Sequence, residues 1–477
     1  MHISTSLNEN ISYLTTLFPV NRSFDFITRD LCLGTTRAYW IGINGFCRVD
    51  LLQDLFSNLQ NPVFTKDSSI VDIKQYLNGK IGFSQAELCS SWDTISKALL
   101  SGPSVLFIEG FQEAILLDTR NYPVRGIAEP DTEQVTMGAK DGFVETLLFN
   151  TNLIRRRIRT PDLIFELVEI GADSKTDVAI AYVEHLVDLS LLATVQQKIS
   201  SLSITALTMG SKSLEELLIP KSLLHPLPSV HQTQRPDVAC SYLLEGYIVL
   251  LVDTTPSVLI VPCTIFQFTQ SPEDYYKSPL VGNYVRLLRF IASGISLFLL
   301  PLFLLIGAHM PTLATKLHLL GSDPMGPIQL FFFVLFAEFG LGLFQYASSH
   351  TASRFNTSMS IVGGLIIGEI AITLNWLSLE VIFYSAITLV TSYAIASIDF
   401  SEGLRMYRIL LIILTGLLGI WGFTIGVLLV IWSILTTPTI GGKSYFWPLF
   451  PFQWKALRTL LFRYPTVKSQ PSKVWKP

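Results

Sequence analysis

Residues 287–308 read LLRFIASGISLFLLPLFLLIGA, with Arg289 the only charge. A helix that crosses a bilayer needs about 20 predominantly apolar residues, so this stretch is long enough to span. It also divides the chain. Residues 1–289 hold 23 Lys+Arg and 31 Asp+Glu, a net of −8, whereas residues 290–477 hold 11 and 6, a net of +5. The whole chain of 477 residues is 49% hydrophobic and 15% charged, well below the roughly 25% charged of soluble domains. That composition excludes a purely soluble protein, and the balance is not basic enough to suggest nucleic acid. The expected fold class is α+β with a membrane part. Two cytoplasmic α/β subdomains, residues 1–140 and 141–280, precede an all-α transmembrane domain of about five helical elements at 281–435. A basic, aromatic tail, 436–477, completes the chain.

Three further apolar stretches follow the first: 327–347, 359–397 and 409–435, the third of them long enough to tilt. The run 359–397 is interrupted near Asn375-Trp376 and reads as two elements, which brings the count to five. Basic residues concentrate in cytoplasmic loops. Arg286 and Arg289 edge the first element, Arg354 follows the second, and Arg405 and Arg408 follow the fourth. The alternate loops hold only Lys316 or no base, so the N-terminus is expected in the cytoplasm. The tail conflicts with this count. It carries seven Lys+Arg and no acid, which also belongs in the cytoplasm, yet five full crossings would place it outside. Either one element is re-entrant or interfacial, or the tail breaks the rule. Gly363, Gly364 and Gly368 weaken a helix and point to 359–397 as the broken element. The segment 445–463 (YFWPLFPFQWKALRTLLFR) mixes aromatics with bases and reads as interfacial, with Trp447 and Trp454 at headgroup level.

Glu338, Glu369 and Glu380 lie within apolar stretches. An ionised side chain in lipid is costly, so each should face protein, water or a partner. Glu380 sits near an element end. Around Glu369, the small residues Ser360, Gly363, Gly364 and Gly368 line one side of MSIVGGLIIGEIAIT (359–373). Small residues allow close helix approach, which is the plain packing reading. With Glu369 they also suit a narrow aqueous path, and a ring of carboxylates from several subunits favours cations. The expected pore lining is Ser360, Gly363, Gly364, Ile367, Gly368 and Glu369.

The soluble half carries two similar stretches, SVLFIEGFQEAILLDT (104–119) and SYLLEGYIVLLVDTT (241–255). Each reads as two short strands joined at Glu-Gly, so a duplicated α/β unit is one expectation and coincidence the other. GFVETLLFNTNLIRRRI (142–158) has a helical apolar stripe of Phe143, Leu147, Ile154 and Ile158. Arg155, Arg156, Arg157 and Arg159 crowd its C-terminal end, where cations suit the helix dipole. They read as a solvated basic face or as a contact for anionic lipid or an acidic neighbour. Gly171-Ala172-Asp173-Ser174-Lys175-Thr176 lacks the glycine before Lys that a phosphate loop needs, and is expected to be a turn between strands 163–170 and 177–183.

The five cysteines, Cys32, Cys47, Cys89, Cys240 and Cys263, are odd in number and widely spaced. Free thiols in a reducing compartment are expected, not disulfides or zinc. No secretory signal pattern opens the chain. His225 and His231 flank HPLPSVH without nearby ligand partners. No nucleophile elbow or metalloprotease motif occurs, so no enzyme activity and no cofactor are expected.

Several blocks resemble the A-subunit family of bacterial spore germinant receptors, the GerA family. They are GFVETLLFNTNLIRRRI, SKTDVAIAYV (174–183), RPDVACSYLLEGYIVLLVDTTP (235–256), QSPEDYY (270–276) and SIVGGLIIGEIAI (360–372). The resemblance covers about 140–460. It implies a membrane region that forms a homo-oligomer, a pentamer, around an ion pore in the spore inner membrane, with the N-terminal domain on the spore-core side. AEFG (337–340), Ala347, His350, Thr351, LEVIFY (379–384) and the tail Trp447-Pro448-Leu449-Phe450-Pro451-Phe452 resemble a branch of paralogues within the family. That branch implies a small membrane partner and an accessory channel that amplifies ion release early in germination. The receptor A subunits proper imply B and C subunits instead, and a membrane scaffold or sensor without a pore is the third reading. Gly342 and Gln345 depart from the branch, standing where an acid and an Arg are expected, so an intramembrane or interfacial ion pair is expected to be missing.

Overall fold

The structure is a computed structural model. It describes residues 2–47, 49–60, 72–74, 86–120, 133, 138–219, 224–310, 312–313, 326–350, 373, 377–442 and 444–462. The chain forms two compact units. One comprises Met1–Ile219 and Val230–Pro262, the other Pro220–Ser229 and Cys263–Lys468.

The first unit holds two five-stranded antiparallel sheets. Strands β1 (Phe26–Leu33), β2 (Thr36–Ile43), β3 (Ala86–Cys89), β4 (Ser104–Ile108) and β5 (Ala114–Leu117) pair in the order β1-β2-β4-β5-β3. Strands β6 (Leu163–Ile170), β7 (Thr176–Val183), β8 (His231–Thr233), β9 (Ile248–Val252) and β10 (Val258–Val261) pair as β6-β7-β9-β10-β8. The two orders are the same, so the duplication is one of topology. In the first sheet, helices α1 (Leu7–Leu17) and α3 (Trp92–Leu100) pack over one core and α2 (Val49–Gln60) over another. In the second, α4 (Leu147–Arg157), α5 (Leu189–Ser200), α6 (Ser211–Leu218) and α7 (Pro236–Leu244) accompany the strands. Central strands β4 and β9 are buried along their whole length, which explains their continuous apolar runs.

The repeat lies in a different register from the sequence reading. SVLFIEGFQEAILL is the β4–β5 hairpin, but SYLLEGYIVLLV is not a hairpin. Ser241–Leu244 is the last turn of α7, and Glu245 and Gly246 end that helix before β9. An apolar run of four residues does not distinguish a strand from a helix end. The counterpart of Gly246 is Gly102, which ends α3 before β4; their φ angles are +91° and +113°. A Cβ on Gly246 would lie 2.7 Å from the Leu186 carbonyl oxygen, so both the left-handed backbone and the close approach require glycine.

The arginine run divides by depth. Its helix is α4, which starts at Leu147, five residues later than the sequence stretch. Arg155 is fully buried. Its Nε donates to Asp25 Oδ2 at 2.7 Å, and its two Nη atoms donate to the carbonyls of Thr160 and Leu163, each at 2.8 Å. Its guanidinium lies over the rings of Phe26 and Phe165. Arg157 pairs with Asp141 at 2.6 Å, while Arg156 and Arg159 are exposed. The expected single basic face is therefore corrected: Arg155 joins the two halves of this unit. The 171–176 segment is the β6–β7 turn. Its amides at Ala172, Asp173 and Ser174 donate to the carbonyls of Ile204 and Thr205, which leaves no phosphate nest. All five cysteines are free thiols, and burial pushes the Cys240 thiol up to about 12.

The second unit is helical: α8 (Pro279–His309), α9 (Pro327–His350), α10 (Leu379–Tyr393), α11 (Ile398–Thr436) and α12 (Trp454–Leu461). α11 is not straight. Gly419 has φ 59° and ψ −133°, outside the helical region. Tyr407 Oη lies 2.6 Å from Ser433 Oγ. In a continuous helix those 26 residues would separate the groups by about 39 Å. α11 is therefore a hairpin with antiparallel arms, 398–418 and 420–436. The expected single tilted span at 409–435 is replaced by this fold-back, and Arg405 and Arg408 lie inside the first arm rather than in a loop. The break expected within 359–397 falls largely on residues outside those described.

Two predictions follow from the first unit. Arg155→Met leaves Asp25 buried and unpaired, so thermal unfolding of the purified full chain should reveal a loss of about 3–5 kcal/mol, with partial recovery in Arg155→Met/Asp25→Leu. Burial also lowers the His231 pKa to about 4. The unfolded chain then binds more protons below the ordinary histidine pKa of about 6.5. Stability present above that pH is lost as pH falls from about 6.5 towards 4. Tm should drop less between pH 7 and pH 5 in His231→Gln than in the native protein.

Candidate functional site

The helical unit has two ends, which are readable from its contacts. At one end, Arg289 Nη1 donates to the Thr269 carbonyl at 2.9 Å and Arg286 Nη1 to the Leu460 carbonyl at 2.9 Å. Both arginines also pair with the fully buried Asp274. At the other end, a Cβ on Gly419 would lie 3.1 Å from His309 Nδ1, so the tip of the α11 hairpin sits beside the C-terminus of α8. Gly416 in the hairpin lies against Phe331 near the start of α9. α8 thus runs from the first end to the tip and α9 runs back. α10 runs back as well, because Val381 shares a cluster with Leu304 while Ser392 Oγ lies 2.9 Å from Ser296 Oγ.

An ion cluster lies at mid-height between α8, α9 and the first α11 arm. The Glu338 carboxylate is 2% exposed. Arg408 Nε donates to its Oε2 at 3.0 Å and Nη2 to its Oε1 at 2.7 Å. Arg405 Nε donates to Oε1 at 3.0 Å, and its Nη2 to the Glu338 carbonyl at 2.8 Å. Arg408 Nη1 reaches across to the Ser296 carbonyl at 2.7 Å and its Oγ at 3.1 Å. The bidentate Arg408 pair is the strong geometry for such a contact, and the spare donors are taken up by backbone. A lone buried carboxylate would be prohibitive in an apolar medium. Here it fastens three helices together.

Gly342 makes room for this arrangement. A Cβ there would collide with the Arg405 guanidinium, and Gln345 Oε1 lies 3.5 Å from Arg405 Nη1. Gly342 and Gln345 carry no charge, so no ion pair forms between these two positions; the Glu338 cluster with two arginines of α11 is a different pair beside them, which the sequence reading did not foresee. Sequence reading placed Arg405 and Arg408 in a loop because the apolar run was taken to start at 409. The available signal was their i, i+3 spacing on one helix face opposite a single Glu in another apolar helix. The glycines of TGLLGIWGFTIG (415–426) were also passed over. Gly422 and Gly426 have the small-xxx-small spacing that allows close helix approach. A Cβ on Gly426 would lie 2.7 Å from Leu411 Cδ2 of the opposite arm.

Of the other sequence-selected residues, Glu380 lies in the first turn of α10, whose N-cap Ser378 Oγ accepts from the Val381 amide at 3.3 Å. Carboxylates suit that end of a helix. Ser360, Gly363, Gly364, Ile367, Gly368, Glu369 and Arg354 lie outside the described residues. His225 Nδ1 lies 3.1 Å from the Ser433 carbonyl and His231 opens β8, so the two are not brought together as ligands. Among the described residues no group of three or more His, Cys, Asp or Glu could hold a metal.

The outer surface of this unit is apolar. α8 and α11 are long and apolar enough to cross a membrane. Leu417, Trp421 and Leu428 on α11, Phe339 on α9 and Phe383 on α10 are all more than half exposed. So large an apolar surface implies an apolar neighbour. The exposed Phe450, Phe452 and Trp454 precede the bases Lys455 and Arg458 in and before α12, the composition of a membrane interface.

Residues 12–473 match the family model described as Bacillus/Clostridium GerA spore germination protein. Stage V sporulation protein AF of Bacillus subtilis (strain 168) is 33% identical over 468 residues, 97% of this chain and 94% of that protein. Spore germination protein B1 of the same organism is 28% identical, covering 98% of this chain and 96% of that one. The crystal structure of the N-terminal domain of the A subunit of the Bacillus megaterium spore germinant receptor GerK3 is 24% identical and covers 55% of this chain and 96% of that domain, with a TM-score of 0.41. A match that runs through both units and almost to each end of the chain means that this protein belongs to the GerA family of spore germination proteins.

Proposed function

We propose that this protein is a subunit of an oligomeric ion channel in the spore inner membrane, which promotes cation release during germination. The observation that carries the reading is the helical unit itself: its charged cluster is enclosed between helices, while large apolar side chains cover the outside. That inverted pattern suits a protein solvated by lipid. The likeness to Stage V sporulation protein AF over 97% of the chain favours an accessory role acting with a small membrane partner. A nutrient-receptor A subunit working with B and C subunits is the second reading, favoured by the similarity to Spore germination protein B1 over 98% of the chain. The permeation path is assigned to residues 359–373, with Glu369 beside it and Ser360, Gly363 and Gly364 setting its width.

Three outcomes are expected. Purified protein in liposomes passes monovalent cations, and Glu369→Gln lowers the flux or changes its selectivity. Gly364→Leu blocks conductance at normal protein level; unchanged conductance would remove 359–373 from the path. Glu338→Gln strips the charge that the buried Arg408 and the partly buried Arg405 face, so its melting temperature in detergent should fall by the equivalent of about 3–5 kcal/mol. A Glu338→Leu/Arg405→Leu/Arg408→Leu triple variant, which strands neither guanidinium, should recover much of that loss.

A further inference from the structure

We infer that the α11 hairpin returns the chain to the membrane face from which α8 departs, so that the basic tail and the junctions to the first unit share one face. The inference rests on the membrane reading above and adds the topology that the sequence left unresolved. Three sets of contacts within the helical unit carry it. First, the arms meet along their length: Tyr407 with Ser433, Leu411 with Gly426, and Leu414 with Gly422. The pairs close in towards Gly419, as they must around a single turn. Each arm is long enough to matter, because 21 and 17 helical residues rise about 31 and 25 Å against an apolar core of about 30 Å. An unbroken helix of this length would rise about 58 Å, close to twice that core.

Second, both ends of the hairpin meet the same short segment. Gly403 in the first arm lies against Pro226 and Leu227, where a Cβ would approach the Pro226 carbonyl to 2.9 Å. Ser433 in the second arm bonds to the Leu224 carbonyl and lies beside His225. That segment, a strap at 224–229, is part of the helical unit, whereas Met1–Ile219 and Val230–Pro262 on either side of it in sequence form the first unit.

Third, the described part of the tail, 444–462, stays at this end. The Ile265 amide donates to the Tyr445 carbonyl at 3.1 Å, and Tyr445 Oη donates to the Pro228 carbonyl at 2.8 Å. Arg286, near the start of α8, donates to Leu460 in the last turn of α12. Charge agrees with geometry. The tail holds seven bases and no acid, whereas the stretch 310–326, which follows the far end of α8 in sequence, holds only Lys316 and Asp323. By the positive-inside rule, the tail and strap face the cytoplasm and Gly419 faces away.

The test uses the full chain in its membrane. Oxidation of Leu411→Cys/Gly426→Cys should give an intramolecular disulfide, and a short bis-maleimide should join Tyr407→Cys to Ser433→Cys, whose native contact is made by the long tyrosine side chain; in a continuous helix the first pair would be about 22 Å apart. No cross-link in either membrane-inserted variant would overturn the hairpin. A membrane-impermeant maleimide applied to sealed inside-out and right-side-out vesicles should label Gln453→Cys in the same orientation as the exposed native Cys32. Labelling of the two in opposite orientations would overturn the shared face while leaving the channel reading intact. Recovery of the protein in the soluble fraction, labelled in every preparation, would overturn both.

Discussion

Two guanidiniums around one carboxylate set the height at which three helices of the membrane-type unit meet. Glu338 comes from α9, Arg405 and Arg408 from α11, and the Ser296 groups that complete Arg408 from α8. Apolar packing in lipid has little directionality, because side chains exchange one apolar neighbour for another. An ion cluster is different: its partners must coincide within hydrogen-bond distance or the charges are stranded. Sliding α9 by one residue against α11 would move Glu338 about 1.5 Å, enough to break the bidentate geometry. Register in this unit is therefore fixed electrostatically, and the apolar clusters above and below the cluster follow from it.

The two units solve the same problem in the same way. In the first, Arg155 and Asp25 form a buried pair surrounded by aromatic rings and capped by backbone carbonyls. In the second, the Glu338 cluster is likewise completed by backbone oxygen atoms. Burial of an ion pair contributes little net stability by itself. Its consequence is specificity: each pair links segments far apart in sequence, residues 25 and 155 in one unit and 338 and 408 in the other. Removing one partner is costly because the other remains in place, and that asymmetry makes these positions informative to mutate.

The sequence was most legible where a pattern repeats within a few residues. The strands 163–170 and 176–183, the helical character of the second half and the turn at Gly171 follow from alternation, apolar length and glycine placement. Legibility failed where a local pattern has two structural meanings. Arg155 and Arg156 are neighbours in one basic run, yet one is in the core and the other in solvent. SYLL before Glu245 is apolar as either a strand or a helix end. α11 failed for the same reason, because a uniformly apolar stretch carries no mark of direction. Only its glycines distinguish one span from two arms.

Those glycines bear on the charge conflict raised by the basic tail. Counting apolar segments assigns one crossing to 409–435, which leaves seven bases on the wrong side. A turn at Gly419 changes the parity without adding a single polar residue, since its backbone bend is enclosed between His309 and the two arms. A fold-back inside an apolar medium needs every backbone group satisfied within protein, and the shortest way to do that is to bring two helices into direct contact. Gly422 and Gly426 permit that contact, and Ser433 and Tyr407 close the open end with a hydrogen bond. Length, parity, charge and glycine spacing then agree with the topology we infer, in which the basic tail and the strap at 224–229 occupy a common face.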